Sequence, residues 1–256
     1  MAVKGSRAAP WEWVQRSVVL AMAAMFLTPA VAQASFTHDI TIQAVSGGNV
    51  GTTVITVPDT VGSGDRWTAA LGAGQPIYGA GDVLLATVRL VELQVNQDPS
   101  VELNFAVDAN AADTLFTITA PTVFFGAAAN PQGNAHATLT VTDNDGNGAA
   151  ATGQFAGAKS YRAIYNGATD WAYLVDTVTA AAFDSGDGGG RRPTLPTIDE
   201  MIAATLTSIG AEYQFILSAN DSASGTSNFT VTPEPATLAL VLGGAALAMV
   251  RRRRGR

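Results

Sequence analysis

The 256-residue chain contains no cysteine and only two histidines. The lack of cysteine excludes a disulfide scaffold, thiol catalysis and thiolate metal sites. His38 and His136 are the two candidates for a general base near neutral pH, and both positions are typical of surface or strand residues. Gly-x-Ser-x-Gly and His-Glu-x-x-His motifs are also absent. We therefore expect a non-catalytic protein, with a secreted hydrolase that uses paired carboxylates as the weaker alternative.

Positive charge is scarce between residues 35 and 232. This segment holds six Lys and Arg against nineteen Asp and Glu, a net charge of −13, and fifteen of the acidic residues are Asp. The segment has no basic stripe that could neutralise phosphates, so the charge argues against nucleic acid as a partner. An excess of Asp over Glu is typical of turns, caps and divalent-cation sites.

The C-terminus carries an apolar run followed by arginines. Thr237 is the only polar side chain between Ala236 and Val250, and Arg251, Arg252, Arg253, Arg254 and Arg256 follow. These 15 residues fall short of the roughly 20 that a typical membrane-spanning helix needs, so we predict a short transmembrane helix. Arginines beside such a helix stay in the cytoplasm, which places the body of the protein outside it.

The segment Thr232–Leu240, with Pro233, Glu234 and Pro235, resembles the PEP-CTERM sorting signal when taken together with the terminal arginines. The resemblance is confined to residues 232–256. It implies an exosortase as partner, a membrane enzyme that removes such tails, and export to the surface of a bacterium that builds an exopolysaccharide matrix. The alternative is a one-pass anchor in the inner membrane that is never cut.

The N-terminus has the pattern of a secretory signal peptide. An apolar stretch, Val18–Leu27, precedes the small residues Ala32 and Ala34 of a cleavage site. The positive residues before it are Lys4, Arg7 and Arg16. We expect residues 1–34 to form a signal helix and the mature chain to start near Ser35. If the segment stayed uncleaved, it would be a second anchor.

Apolar and polar residues alternate with a period of two through residues 35–232, which we call the body, and this pattern predicts strands. Turn signals separate these strands at Gly47-Gly48-Asn49, 108–113, 143–148 and Asn166-Gly167. We expect Tyr213, Phe215 and Leu217 to lie on a strand that pairs with the strand of Phe229 and Val231. The predicted inward positions are these five residues together with Val101, Leu103, Phe105, Val107, Phe116, Ile118, Ala120, Leu139 and Val141. The pattern predicts an all-β protein in which residues 35–232 form an antiparallel β-sandwich of jelly-roll or immunoglobulin-like type.

Two segments interrupt the strand pattern. Residues 180–196 are rich in Gly, Asp and Pro, which predicts a long exposed loop. A helix is predicted to begin at Thr197, with Asp199 and Glu200 in its first turn and Met201, Ile202 and Leu206 as its apolar positions. Thr205 and Thr207 weaken this prediction.

The best candidate metal site is the segment 143–148, Asp-Asn-Asp-Gly-Asn-Gly. Asp143, Asp145 and Asn147 place side-chain oxygens at alternate positions, an arrangement that suits calcium. The segment resembles the first half of an EF-hand loop, although Gln154 stands where that family has a bidentate Glu. The alternative is a polar hairpin turn. Asp184 and Asp187 form a weaker candidate beside a glycine tip at 188–190.

Four aromatic residues are candidates for binding sugars. They are Trp67, Tyr78, Trp171 and Tyr173. Trp171 and Tyr173 would share one face of a strand, and the alternative for all four is packing in the core. The sequence thus predicts an exported cell-surface or matrix protein with a structural or adhesive role linked to exopolysaccharide. A carbohydrate-binding module assisted by calcium, the one candidate cofactor, is the alternative.

Overall fold

The computed structural model describes residues 35–37, 39–58, 65–69, 71–96, 99–194 and 196–232. These residues form eighteen strands, which in chain order are β1 (Ser35–Phe36), β2 (Asp39–Ser46), β3 (Asn49–Thr56), β4 (Arg66–Thr68), β5 (Gln75–Tyr78), β6 (Leu84–Asn96), β7 (Ser100–Ala109), β8 (Thr114–Thr119), β9 (Val123–Ala129), β10 (Gln132–Thr142), β11 (Ala149–Gly153), β12 (Tyr161–Tyr165), β13 (Thr169–Leu174), β14 (Val178–Ala180), β15 (Ser185–Arg192), β16 (Glu200–Met201), β17 (Thr205–Leu217) and β18 (Ser222–Thr232). A 3-10 turn, Ala80–Asp82, precedes β6.

The strands form two antiparallel sheets, which confirms the all-β prediction and the sandwich-like packing. Sheet A has ten strands with the path β1-β9-β17-β8-β2-β3, and β11, β12, β13 and β14 pair beside it. Sheet B has eight strands with the path β15-β10-β18-β7-β6-β4, and β5 and β16 pair beside it. Within the residues described, no helix is long and apolar enough to span a membrane. The predicted signal helix and tail helix fall in residues 1–34 and 233–256, outside the described part.

The core lies between the sheets, and the period-two pattern correctly identifies its side chains. Every inward position predicted from the alternation has an exposed fraction of 4% or less. Alternation arises because successive side chains of a strand point to opposite faces, so one set is buried when one face is covered. The turns predicted at Gly47-Gly48 and Asn166-Gly167 also form, between β2 and β3 and between β12 and β13.

The centre of the core is aromatic. Phe105 of sheet B contacts Tyr213 and Phe215 of sheet A, with ring-centroid distances of 4.8 and 6.1 Å. The Tyr213 hydroxyl lies 3.1 and 2.7 Å from the carbonyl oxygens of Thr138 and Thr226, a register pair of β10 and β18. Burial raises the pKa of Tyr213 well above its usual value, so the hydroxyl keeps the proton it donates. One side chain of sheet A therefore hydrogen-bonds to two strands of sheet B.

The predicted pairing of residues 213–217 with Phe229 and Val231 is wrong. Strand β17 pairs with β8, β9, β11 and β12 in sheet A. Strand β18 pairs with β7 and β10 in sheet B. The connection at 218–221 crosses from one sheet to the other, so the two strands bury their side chains in the same core without sharing backbone hydrogen bonds.

The predicted loop over 180–196 is also wrong, because Ser185–Arg192, about half of this segment, is strand β15, which pairs with β10 over eight residues. Its alternate glycines, Gly186, Gly188 and Gly190, lie against β13 and β14 of sheet A. A Cβ atom at Gly186 would stand 1.9 Å from the carbonyl oxygen of Thr179, and one at Gly188 would stand 2.8 Å from Val178. The sheets approach so closely here that only glycine fits, and its abundance reflects packing and not flexibility.

The predicted helix from Thr197 does not form. Residues 200–201 form the short strand β16, and β17, the strand of sheet A with the most partners, begins at Thr205, whereas 197–199 and 202–204 belong to no strand. Ile202 and Leu206 are buried as expected of apolar positions, but Met201 is 54% exposed. Thr205 and Thr207 are β-branched and favour the extended conformation that sheet pairing completes.

Candidate functional site

Five connections of the described chain lie together at one end of the sandwich, which we call the loop end. They are 47–48, 110–113, 143–148, 181–184 and 218–221. Asp and Asn are frequent in them, and hydrogen bonds join them to one another. These bonds are Ser46 Oγ to Asp113 O (3.0 Å), Asn220 N to Asn110 O (2.9 Å), Asp143 N to Asp184 O (3.0 Å) and Asn144 N to Asp221 Oδ1 (3.2 Å).

Asp143 connects two of these segments. It is only 4% exposed, and its carboxylate accepts backbone N–H groups from Gly146 at 2.9 Å, Gly148 at 3.0 Å and Phe183 at 2.5 Å. The bond from Phe183, followed by those from its own turn, lowers the pKa of Asp143, while burial acts in the opposite direction. The carboxylate therefore stays ionised and holds the 143–148 turn to the 181–184 turn.

Two further aspartates lie beside Asp143. One carboxylate oxygen from each of Asp143, Asp145 and Asp221 lies within 4.8 Å of the other two. Asp221 is fully buried and accepts the N–H of Asn144 and the hydroxyl of Ser218. Asp145 is exposed. The described residues thus form an acidic triad in which two members are buried and one faces solvent.

The triad contains two of the three predicted calcium ligands. Asp143 and Asp145 belong to it, whereas the third carboxylate comes from Asp221, and Asn147 instead donates its amide N–H to Asp145 at 2.9 Å. Calcium takes six to eight oxygen ligands at about 2.3–2.6 Å. The triad supplies hard oxygens of the right kind, but Asp143 has little accepting capacity left. The residues fit calcium in chemistry and would supply only part of its coordination sphere.

Asp184 and Asp187, the weaker metal candidates, have separate positions. Asp184 ends the 181–184 turn, where its carboxylate accepts the N–H of Ser185 at 2.8 Å. Asp187 lies in the middle of β15, opposite Thr140 of β10. Neither residue is part of the triad.

Phe183 is the most exposed large apolar side chain of the described residues, at 77%. Its backbone has a φ of +58°, which is unusual for an aromatic residue because its Cβ crowds the backbone there. The tip of its ring lies on Gly146, where a Cβ atom would stand 2.2 Å from the Phe183 Cζ atom. Phe183 is not among the predicted site residues, because nothing in the local sequence distinguishes it except its place in the turn before β15.

The four predicted aromatic candidates lie in different environments. Trp171 is 7% exposed and stacks on Phe229 with ring centroids 5.2 Å apart, and Trp67 is partly buried against the core. These two positions agree with the core-packing alternative. Tyr78 and Tyr173 are 53% and 37% exposed.

The prediction that Trp171 and Tyr173 share a strand face is wrong. The register between β12 and β13 shifts between Ala163 and Ile164, so that Trp171 has no partner on β12. Such a bulge reverses the facing of the residues on one side of it. Trp171 consequently points into the core while Tyr173 stays at the surface.

Tyr173 belongs to a charged cluster outside the loop end. Its hydroxyl donates to Asp170 at 2.5 Å, which raises the pKa of Tyr173. The Arg162 guanidinium donates to Asp170 at 3.1 Å and to Glu212 at 2.9 Å, and it lies 4.8 Å from the ring centroid of Phe155. These charged groups pair with one another on the outer surface of sheet A, as in an ion-pair network, although the buried Nε of Arg162 has no hydrogen-bond partner.

The residues predicted for sorting and processing fall outside the described part of the chain. They are Pro233, Glu234, Pro235, Arg251, Arg252, Arg253, Arg254, Ala32 and Ala34, and His38 is also outside it. His136 is described, and it is exposed on β10, which agrees with the expectation of a surface residue.

Comparison with known proteins finds no family model and no curated protein that matches this chain. Solved structures show only weak similarity, and two of them illustrate it. "Structure of infectious bursal disease virus Gx strain" has 14% identity, covers 89% of this chain and 74% of its own, and has a TM-score of 0.15. "Structure of infectious bursal disease virus Gt strain" has 12% identity, covers 81% of this chain and 67% of its own, and has a TM-score of 0.12. Scores this low carry no information about function.

Proposed function

We propose that this is an exported protein of the cell surface or extracellular matrix, processed by an exosortase, with a non-catalytic role linked to exopolysaccharide. The observation that carries the proposal is the tail, in which Pro233-Glu234-Pro235, a short apolar run and Arg251–Arg254 follow one another. Before processing, this tail would hold the chain in the inner membrane with the body outside the cytoplasm.

The position of the body's two termini supports this proposal. Strand β2 begins at Asp39 and reaches the loop end at Ser46, and β18 begins at the loop end and finishes at Thr232. The segments that lead to both processing signals therefore leave the sandwich at the end opposite the loops. A body attached through its C-terminus would present the loop end outward.

Mass-spectrometric mapping of the termini tests the proposal. Protein recovered from the surface of its native host should begin near Ser35 and end close to Pro235. A Glu234→Ala variant should keep its arginines, because the sorting motif is altered while the apolar run is unchanged. A wild-type chain that still carries its arginines would overturn the exosortase proposal and leave a plain membrane-anchored domain.

We also propose that the sandwich is of jelly-roll or immunoglobulin-like type. Both architectures pack two antiparallel sheets and gather loops at the ends of the strands. The loop end has this arrangement, since turns from both sheets meet there.

A calcium-assisted carbohydrate-binding module is the second candidate function, and the triad of carboxylate oxygens within 4.8 Å favours it. Calcium would draw these carboxylates together and offset the acidic charge of the body, which would otherwise repel an acidic matrix.

Calcium should therefore raise the thermal midpoint of the full chain. At about 100 times its Kd, a ligand stabilises by about 2.7 kcal/mol, which is on the order of 5–10 °C for a domain of this size. Asp145→Asn should abolish the rise, while Asp187→Asn, a matched exposed aspartate outside the triad, should keep it. An unchanged midpoint at roughly 10 mM calcium, above the Kd of weak extracellular sites, would show that the carboxylates only stabilise the turns.

A further inference from the structure

Phe183 is exposed and yet held in place. Its own N–H donates to the buried carboxylate of Asp143, and the N–H of Asp143 donates to the carbonyl oxygen of the next residue, Asp184. The tip of its ring rests on the backbone of Gly146. An exposed apolar side chain on a loose loop is common and carries no meaning. This ring differs because the 143–148 turn fixes its backbone through Asp143 and its tip through Gly146, while most of its surface faces solvent.

The turn that the ring touches carries polar groups, some of which donate hydrogen bonds and some of which accept them. Asp145 and Asn147, the residues on either side of Gly146, are both exposed, and Asn220 donates to Asp145 at 3.1 Å. Asn144 donates to the Asn220 carbonyl oxygen at 3.3 Å. Carboxylate and amide groups in pairs exchange hydrogen bonds with vicinal hydroxyls, because each hydroxyl both donates and accepts. The loop end thus combines one flat apolar ring with amide and carboxylate groups of the turn it touches and of the 218–221 connection.

This combination suits the ring of a sugar. A pyranose has a face of C–H groups, which packs on an aromatic ring, and an edge of hydroxyls, which bind neighbouring polar groups. The body carries a net charge of −13, Asp184 follows Phe183 directly, and Asp145 precedes Gly146, on which the ring lies, so an anionic sugar would be repelled.

We propose that Phe183, Asp145, Asn147 and Asn220 form a binding site for a neutral polysaccharide, with the Phe183 ring as the surface on which one sugar stacks. The inference rests on the proposed matrix function, to which it adds the site and the class of ligand. The site lies at the end of the sandwich away from Thr232, where a body attached through its tail would meet a matrix.

Native electrophoresis of the full chain in mild detergent tests the site, using gels that contain hydroxyethyl cellulose, galactomannan or dextran. We expect at least one of these neutral polysaccharides to retard the wild-type protein. Phe183→Gly should weaken this binding by about tenfold or more, which corresponds to about 1.4 kcal/mol. Phe183→Trp should retain binding, because it keeps a flat aromatic surface.

Two controls separate loss of the ring from loss of the fold. Glycine is favoured at a φ of +58°, so Phe183→Gly should unfold at the wild-type temperature or above it. Phe124, which is 45% exposed on β9 away from the loop end, provides a matched substitution, and Phe124→Ala should bind as the wild type does.

The site would be overturned if none of the three polysaccharides retards the wild type, or if the folded Phe183→Gly variant is retarded equally. Stronger retardation by alginate than by the neutral polymers would overturn the choice of a neutral ligand. Each of these results leaves the mapping of the termini unaffected, so a failed site and a failed export proposal can be told apart.

Discussion

Replacing Asp143 by asparagine should lower the thermal midpoint by on the order of 10 °C, because several hydrogen bonds to a charged acceptor are weakened together. The Asp143 carboxylate accepts N–H groups from Gly146, Gly148 and Phe183, whereas an asparagine offers one uncharged oxygen and a nitrogen that cannot accept. Thermal unfolding followed by circular dichroism measures the effect. Asp187→Asn on the exposed face of β15 is the control and should leave the midpoint nearly unchanged.

The contribution of Asp143 should depend on pH in a defined direction. Its pKa is lowered in the folded state, so its ionised form stabilises the fold fully above the unfolded value of about 3.9 and loses this effect as pH falls through the folded pKa. The difference in midpoint between wild type and Asp143→Asn should therefore be constant near pH 6 and shrink below about pH 4. A difference that grows on acidification would contradict the assigned hydrogen bonds.

Truncating Phe105 to alanine should destabilise the fold by about 3–5 kcal/mol, the range for large aromatic residues in a core. Phe105 is 1% exposed and stands between the sheets, where its ring contacts Tyr213 and Phe215. Its removal leaves a cavity at the point where the two sheets meet. Urea denaturation measures the change in the free energy of unfolding.

Phe105→Leu keeps most of the buried volume, so it should lower the free energy of unfolding by less than the alanine substitution does. The difference between the two variants should reflect the larger cavity that alanine leaves. Equal losses for the two substitutions would mean that the edge-to-face contact with Tyr213, and not the filled volume, dominates. A loss below about 1 kcal/mol for alanine would contradict the core position, since surface substitutions are usually this mild.

The strands of the body could be predicted because burial of one sheet face imposes a period of two. Val101 to Val107 and Leu139 to Val141 show it clearly. The strand β15 could not be predicted this way, since its inward residues are glycines that carry no hydrophobic signal. Their role follows from the neighbouring sheet, to which the local sequence gives no clue.

The segment after Thr197 was misassigned for a related reason. Asp199 and Glu200 suit a helix start, and Ile202 and Leu206 are four residues apart, as on one helix face. Strand pairing of β17 with four other strands outweighs this local preference. Tertiary pairing routinely overrides a weak helix propensity, and the β-branched residues Thr205 and Thr207 also favour a strand.

The candidate site could be predicted only in its local part. Asp143 and Asp145 can be recognised from the sequence as possible ligands because they lie in one short turn. Asp221 and Phe183 reach that turn from distant parts of the chain, through connections between the two sheets, and no spacing rule relates them. The dipeptide Asn220-Asp221 is the one local feature that marks a further turn with a carboxylate, since Asn and Asp favour turns.

The position of β18 determines how the body would bear a mechanical load. This strand leads directly to the tail and pairs with β10 over eleven residues and with β7 over nine. A pull between the tail and a ligand at the loop end would run parallel to the strand. The hydrogen bonds on both of its sides would then be sheared together instead of being opened one after another. A sandwich attached in this way would resist a pull along its tail more strongly than one whose last strand could be peeled away.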